Sequence, residues 1–129
     1  MVVDVTRKTV LLVDDDPCFV EALALVLETR YDVESASNGT AALEAIETRK
    51  PDLVVLDVMM DHLSEGFDVA RALKNRDDTR EIPIIMLTGV DQVYNMRMEV
   101  DESWVPVERY LEKPIDPGRL LGIIEELIG

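Results

Sequence analysis

Five times along the chain a short apolar run is followed by a segment whose apolar residues recur at helical spacing, and this alternation constrains the fold more than any other feature. Thr9–Val13 is a continuous β-rich run, after which Asp16-Pro17 supplies a helix N-cap and a favoured first helical residue. The helix this opens, to about Arg30, places Phe19, Val20, Leu23, Val26 and Leu27 on one face. Tyr31–Ser35 predicts a second strand, and Asn38 a cap for a helix that buries Ala42, Leu43 and Ile46 and ends before Pro51. Leu53–Leu56, uninterruptedly apolar, predicts a third strand buried on both faces. A helix from about Phe67 to Lys74 turns Val69, Ala70 and Leu73 inward, and Ile82–Leu87 is the fourth strand. Val93, Met96 and Val100 fall in one stripe of a helix between Asp91 and about Val100. Val107–Leu111 is the fifth strand. Asp116-Pro117 repeats the cap-plus-proline device and opens a last helix with Leu120, Ile123, Ile124 and Leu127 inward.

Strands alternating with helices imply βαβ crossovers, hence an α/β fold with a mostly parallel sheet covered on both faces. A length of 129 residues suits a single domain over 1–129 with one ordinary core. Apolar runs such as Leu53–Leu56 and Ile84–Leu87 are far too short to span a bilayer, so no membrane partner is expected. Asp4 and the Arg7–Lys8 pair interrupt any signal-peptide core, which predicts a cytoplasmic protein. The lone Cys18 excludes an internal disulfide and reads as a small packed side chain. A net charge of −14 repels phosphodiesters, so no direct nucleic-acid binding is expected.

In a parallel sheet ligands sit beyond the carboxyl ends of the strands, at a topological switch point. Strand one ends at Asp14, Asp15 and Asp16, strand three at Asp57, strand four at Thr88, and strand five runs into Lys113-Pro114. Several carboxylates, a hydroxyl and an ammonium would therefore share one edge. Crowded carboxylates resist ionising together unless a cation neutralises them. Oxygen ligands with room for water suit Mg²⁺, and no Cys/His cluster argues for another metal. The chemistry that follows is phosphoryl transfer to a carboxylate, with Lys113 and Thr88 contacting phosphoryl oxygens. Any one of these residues has an ordinary explanation, and Asp16 reads simply as a cap. The combination at four separate strand ends carries the argument.

Four stretches give this chain its resemblance to the response-regulator receiver family, the CheY-like domains. They are Val10-Leu11-Leu12-Val13-Asp14-Asp15-Asp16-Pro17, Asp52-Leu53-Val54-Val55-Leu56-Asp57-Val58-Met59-Met60, Pro83-Ile84-Ile85-Met86-Leu87-Thr88-Gly89 and Tyr110-Leu111-Glu112-Lys113-Pro114. The resemblance covers about residues 8–128 and implies a flavodoxin-like (βα)5 doubly wound sheet of five parallel strands in the order 2-1-3-4-5. It makes Asp57 the phosphoacceptor, Asp15 a direct Mg²⁺ ligand, Asp14 a ligand mainly through water, and the Met59 backbone carbonyl the remaining protein ligand. Thr88 and Lys113 would bind the phosphoryl oxygens, and Tyr110 would change rotamer with Thr88 as the switch. The Lys113-Pro114 bond is expected to be cis. The implied partners are a histidine kinase or histidine phosphotransfer protein, in two-component signalling or a phosphorelay, and a downstream target protein. The protein would be no enzyme beyond catalysing its own phosphorylation and dephosphorylation. A homodimer through the fourth helix, fifth strand and fifth helix is a further implication, with Leu121 and Ile128 as an apolar stripe that the core need not use.

The chain departs from the family after Asp57. Where Met-Met-Pro-Gly is usual it reads Met60-Asp61-His62-Leu63-Ser64-Glu65-Gly66, without the proline and one residue longer. The stretch between Thr88 and Lys113, holding Trp104 and Pro106, is also longer. In the family the residues two beyond the phosphoacceptor and two beyond the threonine often influence attack of water; by that resemblance they are Met59 and Val90 here, neither able to orient a water. Slow self-dephosphorylation is therefore expected, and Met59→Asn should shorten the half-life of the acyl phosphate; an unchanged half-life would refute the attribution. A haloacid-dehalogenase-type phosphatase needs a second Asp where this chain has Met59, and a flavodoxin-type carrier would find its FMN phosphate repelled by Asp14–Asp16. The alternative that survives is a degenerate receiver acting as a phosphorylation-independent protein-binding module.

Overall fold

A computed structural model of the chain describes residues 7–57, 65–88 and 107–129. The strands β1 (Thr9–Val13), β2 (Asp32–Ala36), β3 (Leu53–Asp57), β4 (Ile84–Thr88) and β5 (Arg109–Glu112) form one parallel sheet in the order β2-β1-β3-β4-β5. The helices are α1 (Pro17–Leu27), α2 (Gly39–Thr48), α3 (Glu65–Lys74) and α4 (Pro117–Ile128). The helix expected between Asp91 and Val100 lies outside the described residues, as do His62, Trp104 and Pro106, so α4 is the last helix of the sequence reading. The doubly wound architecture and strand order are those expected.

Burial of β1, β3 and β4 on both faces follows from their uninterrupted apolar sequences, and the pleat divides each between two cores. Leu11, Val13, Val54, Leu56, Ile84 and Met86 face the side covered by α2 and α3, where Ala42, Ile46, Val69, Ala70 and Leu73 meet them. Val10, Leu12, Leu53, Val55, Ile85 and Leu87 face the other side, against Leu23 and Leu27 of α1 and Leu120 and Ile124 of α4. Outward from β1 the chain goes to β2, then returns across β1 to β3, and this reversal opens the crevice between β1 and β3.

Boundaries differ from expectation by a few residues. Helix α1 stops at Leu27, because Thr29 and Arg30 donate to the carbonyls three residues back and Tyr31 N–H donates to Leu27 O at 2.9 Å. Tyr31 is thereby a buried turn residue and β2 begins one residue later, at Asp32. Helix α3 begins at Glu65, ahead of Phe67. Strands β3 and β4 extend to include Asp57 and Thr88, while β4 begins only after Pro83 and β5 only at Arg109.

Three packing expectations need correcting. Val26 is half-buried and belongs to neither core, and Cys18 is exposed at the start of α1. Leu121 and Ile128 do not form a free stripe. Both are half-buried and pack against the α1/α4 core with Ile123 and Leu127, because α4 sits deep enough in that layer to use them. The large hydrophobic side chain left open among the described residues is Leu25 on α1, 69% exposed.

Candidate phosphoacceptor site

The parallel register places the acidic residues side by side. Val13 pairs with Leu56, so the next residues, Asp14 and Asp57, leave adjacent strand ends together. One carboxylate oxygen from each of Asp14, Asp15 and Asp57 lies within 4.8 Å of the others. Asp14 and Asp57 are buried, 6% and 4% exposed, whereas Asp15 faces solvent. Lys113 Nζ reaches into this group, 3.0 Å from Asp14 Oδ2 and 3.4 Å from Asp57 Oδ2.

Each element contributes for a local reason. Asp16 caps α1 as expected, accepting from the backbone N–H groups of Cys18 and Phe19. Its own N–H donates to Asp14 Oδ1 at 2.9 Å, fixing the carboxylate that Lys113 contacts through the other oxygen. Lys113 leaves β5 through a cis Lys113–Pro114 bond, as expected, with its N–H donating to Thr88 O at 2.6 Å. Thr88 is buried, and its hydroxyl donates a long bond of 3.4 Å to Leu111 O. Tyr110 lies on β5 beside Met86 and is half-buried against the α2/α3 core. The structure thus gathers Asp14, Asp15, Asp57 and Lys113 directly and sets Thr88 at the neighbouring strand end. Met59 lies outside the described residues.

Among the described residues, three carboxylates face one ammonium, an excess of negative charge in a place where two of the three are buried. Such a cluster is costly unless a cation compensates it, and the all-oxygen donor set suits a hard divalent ion. The residues present therefore fit Mg²⁺. Burial pushes the Lys113 ammonium down, but its hydrogen bond to Asp14 and the charges of Asp57 and Asp14 outweigh this and hold it above the ordinary lysine range. Lys113 is thus charged at any physiological pH. The stability it contributes is complete below the ordinary lysine pKa and fades only as pH rises through the higher folded value. On the β2 side, Asp14 and Asp15 border an open cleft of about 500 Å³ whose far wall includes Ser35 and Ser37. Neither serine was singled out by the sequence, since nothing in DVESAS marks a strand end that faces a site.

A five-stranded 2-1-3-4-5 parallel sheet with an acidic trio and a lysine at its carboxyl edge is the arrangement that the sequence resemblance implies. The match to the response regulator receiver domain model over residues 10–125 shows that the chain belongs to that family. It is 39% identical to the alkaline phosphatase synthesis transcriptional regulatory protein PhoP of Bacillus subtilis, over 86% of this chain and 44% of that protein. To the phosphate regulon transcriptional regulatory protein PhoB of Pseudomonas aeruginosa it is 36% identical, over 94% of this chain and 52% of that protein. The chain therefore spans about half the length of these curated relatives. The crystal structure of the signal receiver domain of a signal transduction histidine kinase from Syntrophus aciditrophicus superimposes with a TM-score of 0.80 at 29% identity, over 95% of this chain and 90% of that one. The described residues include no helix long and apolar enough to cross a membrane.

Proposed function

We propose that this receiver domain accepts a phosphoryl group on Asp57 from a phosphohistidine of a kinase or phosphotransfer protein, with Mg²⁺ held by Asp14, Asp15 and Asp57 and the Met59 carbonyl. The convergence of three carboxylates and Lys113 at the β1–β3 crevice carries the reading. An Asp57 oxygen attacks phosphorus in line, the P–N bond to the donor imidazole breaks, and the leaving nitrogen keeps the electron pair and takes a proton from solvent. The divalent ion, when bound, neutralises charge on the transferring oxygens. Lys113, already between Asp14 and Asp57, supplies a fixed positive charge beside the incoming phosphoryl group, and Thr88 a hydroxyl from the next strand end.

In this reading the protein is substrate and catalyst of its own modification and turns over nothing else. Its output is a changed protein surface, delivered to a downstream target in the cytoplasm. On α4, Leu121, Ile123, Leu127 and Ile128 are half-buried against the α1/α4 core, so only part of their apolar surface is open to a homodimer through that helix. The names of PhoP and PhoB mark those relatives as transcriptional regulators. The acidity of this chain argues that any nucleic-acid contact in its own pathway is made by a different, basic surface.

The test is incubation with acetyl phosphate and Mg²⁺, followed by intact-mass analysis. Wild type should gain one phosphoryl group, and neither Asp57→Asn nor wild type with the metal chelated should gain it. A folded wild-type protein that stays unlabelled would favour the phosphorylation-independent binding module instead.

A further inference from the structure

Phe19 was expected only to face the core, yet the Lys113 ammonium stands 4.5 Å from the centroid of its ring. The contact closes a circuit. Asp14 Oδ1 accepts from Asp16 N–H, the Asp16 carboxylate accepts from Phe19 N–H, the Phe19 ring carries Lys113, and Lys113 returns to Asp14 Oδ2. Two residues 94 positions apart in sequence are thus held in register by one helix cap. The ring itself rests on the α1/α4 core, so its face is fixed by packing and not by the lysine.

We infer that Phe19 is a positioning residue: its ring keeps the Lys113 ammonium at the site when the carboxylates stop doing so. This rests on the reading of Asp57 as phosphoacceptor. In the unmodified domain Lys113 is held by Asp14 and Asp57. Phosphorylation turns an Asp57 oxygen into the bridging oxygen of an acyl phosphate, with little charge, and a bound divalent ion would draw on Asp14. Both anionic partners are then weakened together. A ring face attracts a cation through its quadrupole and has no competing ligand to satisfy, so it is the partner whose hold does not change. Lys113 can then pivot from a carboxylate to a phosphoryl oxygen without returning to water. The half-buried setting strengthens such a contact relative to one in full solvent.

Two measurements separate this role from simple packing. The first is the rate of phosphoryl acceptance from acetyl phosphate with Phe19 replaced by phenylalanine analogues carrying progressively more ring fluorines, which weaken the ring's negative face at nearly constant size. Rates should fall in a graded series, reaching roughly threefold to tenfold below wild type, in line with the strength of a partly desolvated cation–π contact. Phe19→Leu should match the most fluorinated analogue, and Phe19→Trp should restore the rate. Equal rates across the series overturn the inference. The second is the proton spectrum of the unphosphorylated domain. The Lys113 ε-methylene signal should lie upfield through the ring current and move back in Phe19→Leu, with the thermal midpoint reported alongside to show that Phe19→Leu is folded. An unshifted signal in wild type removes the contact and the inference with it. A shifted signal in a wild type that takes no phosphoryl group overturns the Asp57 reading and leaves Phe19 no phosphorylation to assist.

Discussion

Replacing Lys113 by Met is expected to move two measurable quantities in opposite directions. Phosphoryl acceptance from acetyl phosphate should slow by about 10²–10³-fold, the usual consequence of deleting one preorganised group aimed at developing charge. Affinity for a divalent cation should rise, by about tenfold or more, because a positive charge within a few ångströms of the site is removed at moderate effective dielectric. The geometry dictates both signs. Lys113 Nζ contacts Asp14 and Asp57, the same buried carboxylates that the metal would use, so ammonium and metal would compete in the resting state and cooperate in transfer. Without the ammonium the metal-free domain loses the cation that Asp14 and Asp57 share, a penalty that a bound divalent ion should reverse. Intact-mass kinetics and a metal titration followed by the thermal midpoint give the two readouts. A variant with normal labelling, or with weaker metal binding, would show that Lys113 is only a surface ion pair.

The strand ends that make this site were legible in the sequence, because each follows an unbroken apolar run and such runs must be buried strands. Leu53–Leu56 leads directly to Asp57, Val10–Val13 to Asp14, and Ile84–Leu87 to Thr88. Parallel pairing then brings the three ends together without further information. Less regular segments were read less well. DVESA on the sheet edge has no alternation strong enough to set its start, and the tight turn that captures Tyr31 depends on carbonyls freed by the end of α1. Nothing in LETRY announces that end, since neither glycine nor proline stands there. The place of Leu121 and Ile128 was missed for another reason. Helical periodicity gives the direction of a side chain but not how deeply its helix settles between neighbours, and α4 settles far enough for both to reach the core. The pairing of Phe19 with Lys113 joins α1 to the end of β5, and one sequence gives no local signal for it.

Leu56→Ala is expected to cost about 2–5 kcal/mol of stability, whereas Leu25→Ala, the same chemical change, should stay within about 0.5 kcal/mol. Leu56 is fully buried on a central strand, between the β1 and β4 ladders, and faces the α2/α3 core. Truncation there loses the transfer free energy of the side chain and opens a cavity between strands that hydrogen bonds hold at fixed spacing, so collapse around it is limited. Leu25 is 69% exposed on α1 and loses almost no burial. Set against a typical domain stability of about 5–15 kcal/mol, the first change removes a large share and the second almost none. The consequence reaches the site, because Leu56 is the residue that carries Asp57 to the sheet edge. Urea unfolding of both variants measures the contrast, and the midpoint should fall without a change in slope if only the native packing is affected. Comparable losses at the two positions would mean that β3 is not the buried centre of the sheet, and the alignment of Asp57 with Asp14 would then lose its support.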